Sequence, residues 1–311
     1  MAQFLDLKLL PLAGETLGTR SMAISVQGKT SQFIFDPGVA LAPQRYNLPP
    51  HSMERERRKQ QRENILSTIK SMPVEGFWVS HYHLDHYPNY NEAVKMWNPN
   101  IKDFPDSPFY IKHPKENLNK NQRRRARKFV AALKRMKKQF FPAENCTINL
   151  GDFTISGSPI LPHGDVTKLG YVIGCNLTYK NTKLCFTGDI MGAPFDSHVE
   201  WLIQSSPDIL IIDGPTKDQI KAFRTNFQKV IDNTEIKYVI IEHHLLRSED
   251  WHDMISNELD SMKSSGIKFF TYADILGKKI ELLEVMRKNL YEFLPETSPI
   301  PANTKNKRKK S

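Results

Sequence analysis

The sequence predicts a layered α/β sandwich, and three features of its pattern carry the prediction. The first third is rich in short β-forming runs, of which SMAISVQ and SQFIFD read as a hairpin closed by a turn at Gly28. Strand signals return in FTISGSPILP and in the pair LGYVIGCNLTY and KLCFTGD, which the turn KNTK joins. The last third alternates apolar strands with helices. Strand-rich halves with interleaved helices imply stacked layers of sheet and helix.

The elements follow one another with recognisable breaks. Helices are predicted near residues 54–70, 196–204, 217–231, 248–264 and 277–290, and further strands at EGFWVS, DILIID and KYVIIE. Residues 98–145 interrupt the pattern with prolines at positions 99, 105, 108 and 114 and then a basic helical stretch, so we interpret them as an insertion in a domain of residues 1–294. Residues 295–311 lack periodicity and are predicted to form a disordered basic tail.

Composition describes an ordinary globular chain of 311 residues, of which 39% are hydrophobic and 25% charged. The longest apolar runs, DILIID and YVII, are far shorter than the roughly 18 residues of a membrane span. Asp6 and Lys8 interrupt the apolar N-terminal stretch, which is unlike a signal peptide. The three cysteines form no CxxC pair. We therefore expect a cytoplasmic protein with reduced thiols and no membrane association.

The segment WVSHYHLDHYPN crowds candidate metal ligands directly after a short strand: His81, His83, Asp85 and His86. Such a cluster adds little to a hydrophobic core, because each buried polar group needs its own partner. A metal ion is a partner that satisfies all of them. Other candidates also follow predicted strands, namely Asp36, His163, Asp189, His243 and His244. If these strand ends share one edge, the side chains converge there.

This ordered set of motifs resembles the metallo-β-lactamase-fold superfamily. The resemblance rests on Asp36, the HxHxDH pattern of residues 81–86, His163, Asp189 and His243, and it covers roughly residues 1–250. It implies a four-layer αββα sandwich with a binuclear metal site. The phrases LGTRSMA, DPGVALAPQRYNLPPH, SHYHLDH and KHPKENLN further resemble an uncharacterised, largely archaeal branch of predicted hydrolases.

Site roles carried over by position give each metal its own ligands. The resemblance implies one metal held by His81, His83 and His163, a second held by Asp85, His86 and His243, and Asp189 bridging the two. His243 is favoured over His244 as the last ligand, because it directly follows the strand's Glu242. Asp36 is expected to orient the HxHxDH loop. Zinc suits these ligands, while ligand type alone leaves manganese and iron open.

The net charge of +10 is concentrated in two places. Residues 120–138 hold ten Lys or Arg and no acid, and residues 305–311 hold five more, so the rest of the chain carries −5. Helical spacing predicts an amphipathic helix with a basic face. The predicted contacts to RNA or DNA phosphates are Arg124, Arg127, Lys134 and Lys138, and the tail would add affinity. A solvated helix face is an equal alternative.

The sequence thus predicts a metal-dependent hydrolase in which two ions activate a hydroxide and Asp85 receives a proton. A phosphodiester, in nucleic acid or a nucleotide, is the favoured substrate, and His113 is either a substrate contact or a structural histidine. The first alternative is a hydrolase of small esters, lactones or thioesters, for which the basic helix would be incidental. The second is a nucleic-acid-binding protein with a structural metal, although such sites are normally closed and four-coordinate. Oligomeric state stays open.

Overall fold

Two seven-stranded sheets form the centre of the computed structural model, which describes residues 2–91, 97–164 and 168–296. In the first sheet the strands lie side by side in chain order: β1 (Ala2–Phe4), β2 (Leu7–Pro11), β3 (Ile24–Gln27), β4 (Gln32–Phe35), β5 (Val74–Val79), β6 (Phe109–Ile111) and β7 (Phe140–Pro142). Strands β1 to β4 pair antiparallel, whereas β4 to β7 pair parallel. Parallel neighbours need crossover connections, two of which contain helices α1 (Ser52–Ser71) and α2 (Lys120–Arg135).

The second sheet repeats this plan of an antiparallel half and a parallel half. A short hairpin, β10 (Leu161–Pro162) with β11 (Tyr171–Val172), stands apart from it. The sheet itself consists of β8 (Thr147–Leu150), β9 (Phe153–Gly157), β12 (Cys175–Tyr179), β13 (Thr182–Phe186), β14 (Ile209–Ile212), β15 (Tyr238–Ile241) and β16 (Lys268–Phe270), in that spatial order. Strands β13 to β16 are parallel. The remaining helices are α3 (Asp196–Ser205), α4 (Ile220–Asp232), α5 (Trp251–Met254), α6 (Ser256–Ser264), α7 (Tyr272–Leu276) and α8 (Arg287–Phe293).

Three apolar clusters hold the layers together. Between the sheets, the rings of Phe35 and Phe186 stack with centroids 4.7 Å apart. Helices α1 and α2 cover the outer face of the first sheet through Ile65 and Phe129. Helices α3 and α4 cover the second sheet, where Leu202 lies in the buried cluster. The layer order is helix, sheet, sheet, helix, which confirms the predicted four-layer αββα sandwich.

The segment 98–145, predicted as a helical insertion, also completes the first sheet. It contributes the edge strands β6 and β7, and α2 packs on the sheet with Ala126, Phe129 and Leu133 buried. Both strands have only three residues. A run of three residues next to prolines is too short to show the two-residue period of a strand, which is why these strands were not predicted.

The predicted helix at 277–290 is wrong in its bounds. Helix α7 ends at Gly277, whose left-handed φ of 62° stops the helical path. Glu281 N then donates a hydrogen bond to Thr16 O at 2.9 Å, so a distant part of the chain takes the place of a helical partner. Helix α8 begins only at Arg287.

The C-terminal end of the described chain contacts the first helix. Glu296 accepts hydrogen bonds from Arg55 of α1 at 3.1 Å. The rest of the predicted tail, residues 297–311, lies outside the described residues. Within the described ranges, no helix combines the length and the apolarity that a membrane span requires.

Candidate metal centre

The candidate ligands leave both sheets at the carboxyl ends of their strands. Asp36 follows β4, His81 follows β5, Asp189 follows β13 and His243 follows β15. Within each sheet these strands lie in the parallel half, so their carboxyl ends lie at one edge. Loops beyond that edge are where open α/β sheets bind ligands. The strand order therefore brings together residues more than 200 positions apart in the sequence.

The HxHxDH segment is fixed by the loop after β4. The Asp36 carboxylate accepts hydrogen bonds from Ser80 N at 2.8 Å and Ser80 Oγ at 2.6 Å, and its Oδ2 lies 2.7 Å from His86 Nδ1. An added Cβ at Gly38 would lie 2.5 Å from Tyr87 N and 2.7 Å from His86 N. Only glycine allows this approach, which presses the Asp36 loop against the ligand-bearing backbone.

The histidine rings meet around one carboxylate oxygen, Asp189 Oδ2. Its distances to the imidazole Nε2 atoms are 3.2 Å for His86, 3.4 Å for His243, 3.5 Å for His81, 3.6 Å for His163 and 3.7 Å for His244. Asp189 Oδ1 and His81 Nε2 are buried and have no hydrogen-bond partner in the described part of the chain. Buried polar atoms without partners are rare in folded proteins, and a metal ion is a partner that fits both.

The ligand atoms form overlapping groups in which every atom lies within 4.8 Å of the others. One group contains His81, His83, His163 and Asp189, and a second contains Asp85, His86 and His243. The Nε2 atoms of His86 and His243 are 3.3 Å apart, and Asp189 Oδ2 lies 3.2 and 3.4 Å from them. Ligands about 2.0–2.1 Å from a tetrahedral ion are about 3.3 Å apart. These residues therefore fit a divalent ion, with Asp189 next to both groups.

Both histidines after β15 reach the cluster. His243, at a φ of 100°, joins the group of Asp85 and His86, while His244 shares a group with His243 and Asp189. His244 Nδ1 lies 2.6 Å from Asp213 Oδ2. Asp213 also accepts the backbone N–H of Met191 and of Gly192 at 2.7 and 3.2 Å. It thus supports a turn and orients His244 at the same time.

The sequence pattern did not indicate Glu15 or Arg247. Glu15 Oε2 lies 2.9 Å from His243 Nδ1, and its Oε1 accepts a hydrogen bond from Arg247 Nε at 2.8 Å. Arg247 Nη2 lies 2.8 Å from His243 Nε2 and 3.3 Å from its Nδ1. Such similar distances place the guanidinium over the ring face, because a group on the Nε2 lone pair would be far from Nδ1. The lone pair is left for a ligand role, and Arg247 reaches Asp85 at 3.5 Å.

Burial and neighbouring charges set the protonation of the centre. Burial lowers the pKa of His83 to about 4 and that of His163 to about 3. Burial also acts to lower the pKa of His86, but Asp189 and Asp36 together raise it well above its ordinary value. Burial likewise lowers the pKa of His81 and His244, so these two, His83 and His163 are neutral at neutral pH, which is the form that binds a metal. Burial and Arg247 act to lower the pKa of His243, but Asp189 and Glu15 raise it to about 9, so His86 and His243 would release a proton on binding a metal.

An open cleft of ≈ 470 Å³ lies over the cluster. Its walls include the candidate ligands His83 and Asp85 and three arginines: Arg20, Arg125 and Arg247. Arg20 is held by two contacts of 2.6 Å to Glu284. Arg125 belongs to α2 and donates to Tyr82 O at 3.3 Å. The basic helix thus reaches the site through a residue that the charge pattern alone did not single out.

Two of the predicted substrate contacts, Lys138 and His113, have hydrogen-bond partners within the protein. Lys138 Nζ donates to Phe104 O at 2.7 Å, to Pro105 O at 3.2 Å and to Asp106 Oδ1 at 2.6 Å, which uses all three ammonium donors. His113 Nδ1 accepts the backbone N–H of residues 115 and 116, at 3.4 and 3.1 Å, and closes a turn. These contacts fit the structural alternative stated for His113, and they leave Lys138 the least available of the four predicted phosphate contacts. Arg124, Arg127 and Lys134 are exposed on α2.

Comparison with known proteins identifies relatives over nearly the whole chain. No family model matches. The UPF0282 protein of Methanocaldococcus jannaschii is 34% identical over 294 residues, covering 91% of this chain and 96% of that protein. The UPF0282 protein of Saccharolobus solfataricus is 33% identical over 311 residues, covering 96% and 98%.

Solved structures align with this chain at low sequence identity. CmlA, a diiron β-hydroxylase from Streptomyces venezuelae, aligns with a TM-score of 0.51 and 10% identity over 87% of this chain and 53% of CmlA. An isothiocyanate hydrolase from Delia radicum gut bacteria aligns with a TM-score of 0.49 and 12% identity over 82% and 94%. The layer order, with the HxHxDH segment at the carboxyl ends of the strands, is that of the metallo-β-lactamase fold. With more than 30% identity to proteins that it matches almost from end to end, the chain belongs to the UPF0282 family.

Proposed function

We propose that this chain is a metal-dependent hydrolase that cleaves phosphodiesters at a binuclear centre. The observation that carries the proposal is the position of Asp189, which lies between two groups of ligand atoms at the floor of an arginine-lined cleft. Zinc is favoured, with manganese and iron as alternatives, because the ligands are imidazoles and carboxylates. When bound, a pair of divalent ions acts as a Lewis acid and makes water a stronger nucleophile at neutral pH.

The chain contributes orientation of the ligands. Three buried carboxylates each hold the outer nitrogen of one histidine, in the pairs Asp36–His86 at 2.7 Å, Glu15–His243 at 2.9 Å and Asp213–His244 at 2.6 Å. A carboxylate on Nδ1 selects the tautomer whose Nε2 lone pair faces the centre, and it also fixes the direction of the ring. Three such pairs at one strand edge support a site built to hold metal.

The cleft arginines support an anionic substrate. Guanidinium groups match phosphate oxygens in geometry and charge, and Arg125 and Arg247 flank the candidate ligands. Asp85 has 13% of its side chain exposed at this cleft, so we assign it as the acceptor of the proton released in the reaction. A neutral ester or lactone would make no use of these cations, and it is therefore the second candidate. A purely structural site would be closed, whereas His83 and Asp85 line an open cleft.

Metal content tests the centre. We expect about two ions per wild-type chain by elemental analysis. Asp189→Ala should lose both ions, since Asp189 Oδ2 lies close to both groups of histidines. His83→Ala should mainly lose the ion that His81, His83 and His163 would hold. Asp253→Ala removes an exposed acid that no hydrogen bond or ion pair among the described residues links to a candidate ligand, so it is the matched control and should keep both ions.

Turnover tests the substrate class. A bis-aryl phosphodiester, a lactone and a thioester would be compared with the same metal-loaded protein. We expect the phosphodiester to be cleaved and the neutral substrates to be poor. Wild-type protein that contains no metal, or Asp189→Ala protein that still contains two ions per chain, would contradict the binuclear centre. Efficient lactone or thioester cleavage with an inert phosphodiester would contradict the substrate class alone.

A further inference from the structure

Helix α2 presents a row of four cations beside the cleft, which we name the α2 cation row: Lys120, Arg123, Arg124 and Arg127. Their spacing of i, i+3, i+4 and i+7 puts them on one face of the helix. They line a surface groove of ≈ 660 Å³ together with Asn121. Within the described ranges none of the four forms an ion pair, and residues 120–138 contain no acid. No acid among the described residues therefore neutralises the positive charge of this groove by an ion pair.

The start of α2 is bonded to a segment that lines the cleft. Asn119 Nδ2 donates to Lys168 O at 2.7 Å, and Gln122 Nε2 donates to Leu169 O at 2.5 Å. Leu169 lines the cleft, as does Arg125 of the same helix. The start of α2 is thus fixed to the rim of the cleft, and one helix carries both the row and Arg125 of the cleft.

We propose that the α2 cation row binds the backbone phosphates of a single-stranded polynucleotide whose scissile phosphate lies in the cleft. The inference rests on the proposed phosphodiesterase function and names its substrate. A row of cations that has no acidic partner in the described part of the chain matches the repeated charges of a polyanion better than one small anion. The ligand atoms of His163 and Asp189 are buried beneath a cleft of ≈ 470 Å³, a volume that holds a small-molecule-sized group. A flexible single strand can place one nucleotide there, whereas a paired duplex cannot.

An anionic membrane surface fits this helix less well. Membrane-surface helices insert an apolar face between lipids. In α2 the apolar residues Ala126, Phe129 and Leu133 are already buried against the first sheet. Only the charged face is exposed, so contact would be limited to phosphate groups.

The salt dependence of binding distinguishes specific contacts by the α2 cation row from attraction by the overall positive charge of α2. The probe is a fluorescein-labelled phosphorothioate oligouridylate of about 12 nucleotides, within the range of known single-strand sites, which keeps its charges and resists cleavage. The test variant replaces Arg123, Arg124 and Arg127 with Gln. The matched control replaces three other exposed cations in and just after α2 with Gln, namely Lys128, Arg135 and Lys137. Both variants lose the same charge, but only the first alters the groove.

We expect the row variant to bind the strand more weakly, with a log-log salt slope lower by about 0.7 per lost phosphate contact, or about 2 in total. The control should keep the wild-type slope, and both variants should cleave the small phosphodiester at the wild-type rate. The deoxy strand should bind within a few-fold of the ribo strand, because phosphates are contacted. Equal slopes for both variants would overturn the inference. Tighter competition by a duplex, or by phosphatidylserine vesicles, would do so as well.

Failure here is distinguishable from failure of the proposed function. A protein that holds its metals and cleaves the small phosphodiester, but binds no strand, refutes the role of the row and leaves the hydrolase standing. A protein without metal or turnover refutes the proposed hydrolase, whether or not it binds the oligonucleotide.

Discussion

Replacing Glu15 with Gln tests how the centre is assembled. The side chain is only 4% exposed, and each of its oxygens has a separate task. Oε2 faces His243 Nδ1 at 2.9 Å, and Oε1 accepts from Arg247 Nε at 2.8 Å. Glutamine keeps the size but offers one acceptor oxygen, because its amide nitrogen can only donate. Either His243 or Arg247 therefore loses its partner, and both lose the negative charge.

The expected loss is confined to one side of the centre. Removing the outer partner of a ligating histidine typically costs about 10–100-fold in metal affinity, or about 1.4–2.8 kcal/mol. No hydrogen bond links Glu15 to the described side chains of His81, His83 or His163, so their ion should stay bound. Loss of a hydrogen bond to a charged group also lowers the free energy of unfolding by about 1.5–3 kcal/mol.

The assay is a zinc titration in chelator-buffered solutions of known free metal, with ions per chain as the readout. We expect Glu15→Gln to bind one ion as the wild type does and the other about 10–100-fold more weakly. The control is Glu284→Gln, which removes an equal charge near Arg247. Glu284 holds Arg20 and Arg45 at 2.6 and 3.2 Å but contacts no candidate ligand among the described residues. Two ions bound to Glu15→Gln with wild-type affinity, or equal losses in the control, would refute the reasoning.

Two other changes test the site and the stability of the fold. Asp36→Asn should leave most of the metal bound but slow turnover about 10–100-fold, since His86 and Ser80 lose a charged acceptor; turnover at the wild-type rate would contradict this. His198 is buried against Pro162 O at 3.0 Å, and burial lowers its pKa to about 4. The unfolded histidine titrates near 6.5, so its contribution to stability is full above about pH 6.5 and is lost as the pH falls toward 4. His198→Gln should therefore show a smaller fall in Tm between pH 7 and pH 5 than the wild type, and an equal fall would count against the argument.

The stacked layers of sheet and helix and the ligand motifs were predictable because both depend on local patterns, whereas the four-layer αββα order was implied by the resemblance to the metallo-β-lactamase-fold superfamily. A strand shows its two-residue period within a few positions, and the polar residue that follows it lies at the sheet edge. His81, His83 and His86 are neighbours in sequence, so no knowledge of the fold was needed to group them. Asp36 and Asp189 followed from their place after a strand. The helix at 277–290 was misplaced because Glu281 bonds to Thr16, a contact that no local window contains.

Only the tertiary structure decided which partners surround the ligands. Glu15 lies 228 positions from His243, and no spacing rule connects a short turn to a distant strand end. The partners of the side chains on the basic helix α2 were likewise not predictable from spacing. Periodicity predicts which face of α2 is buried. It does not predict that Arg125 lines the cleft or that Lys138 donates a hydrogen bond to Asp106. The sequence determines the periodicity of each helix and strand. Which residues surround a given side chain depends on how distant elements pack together.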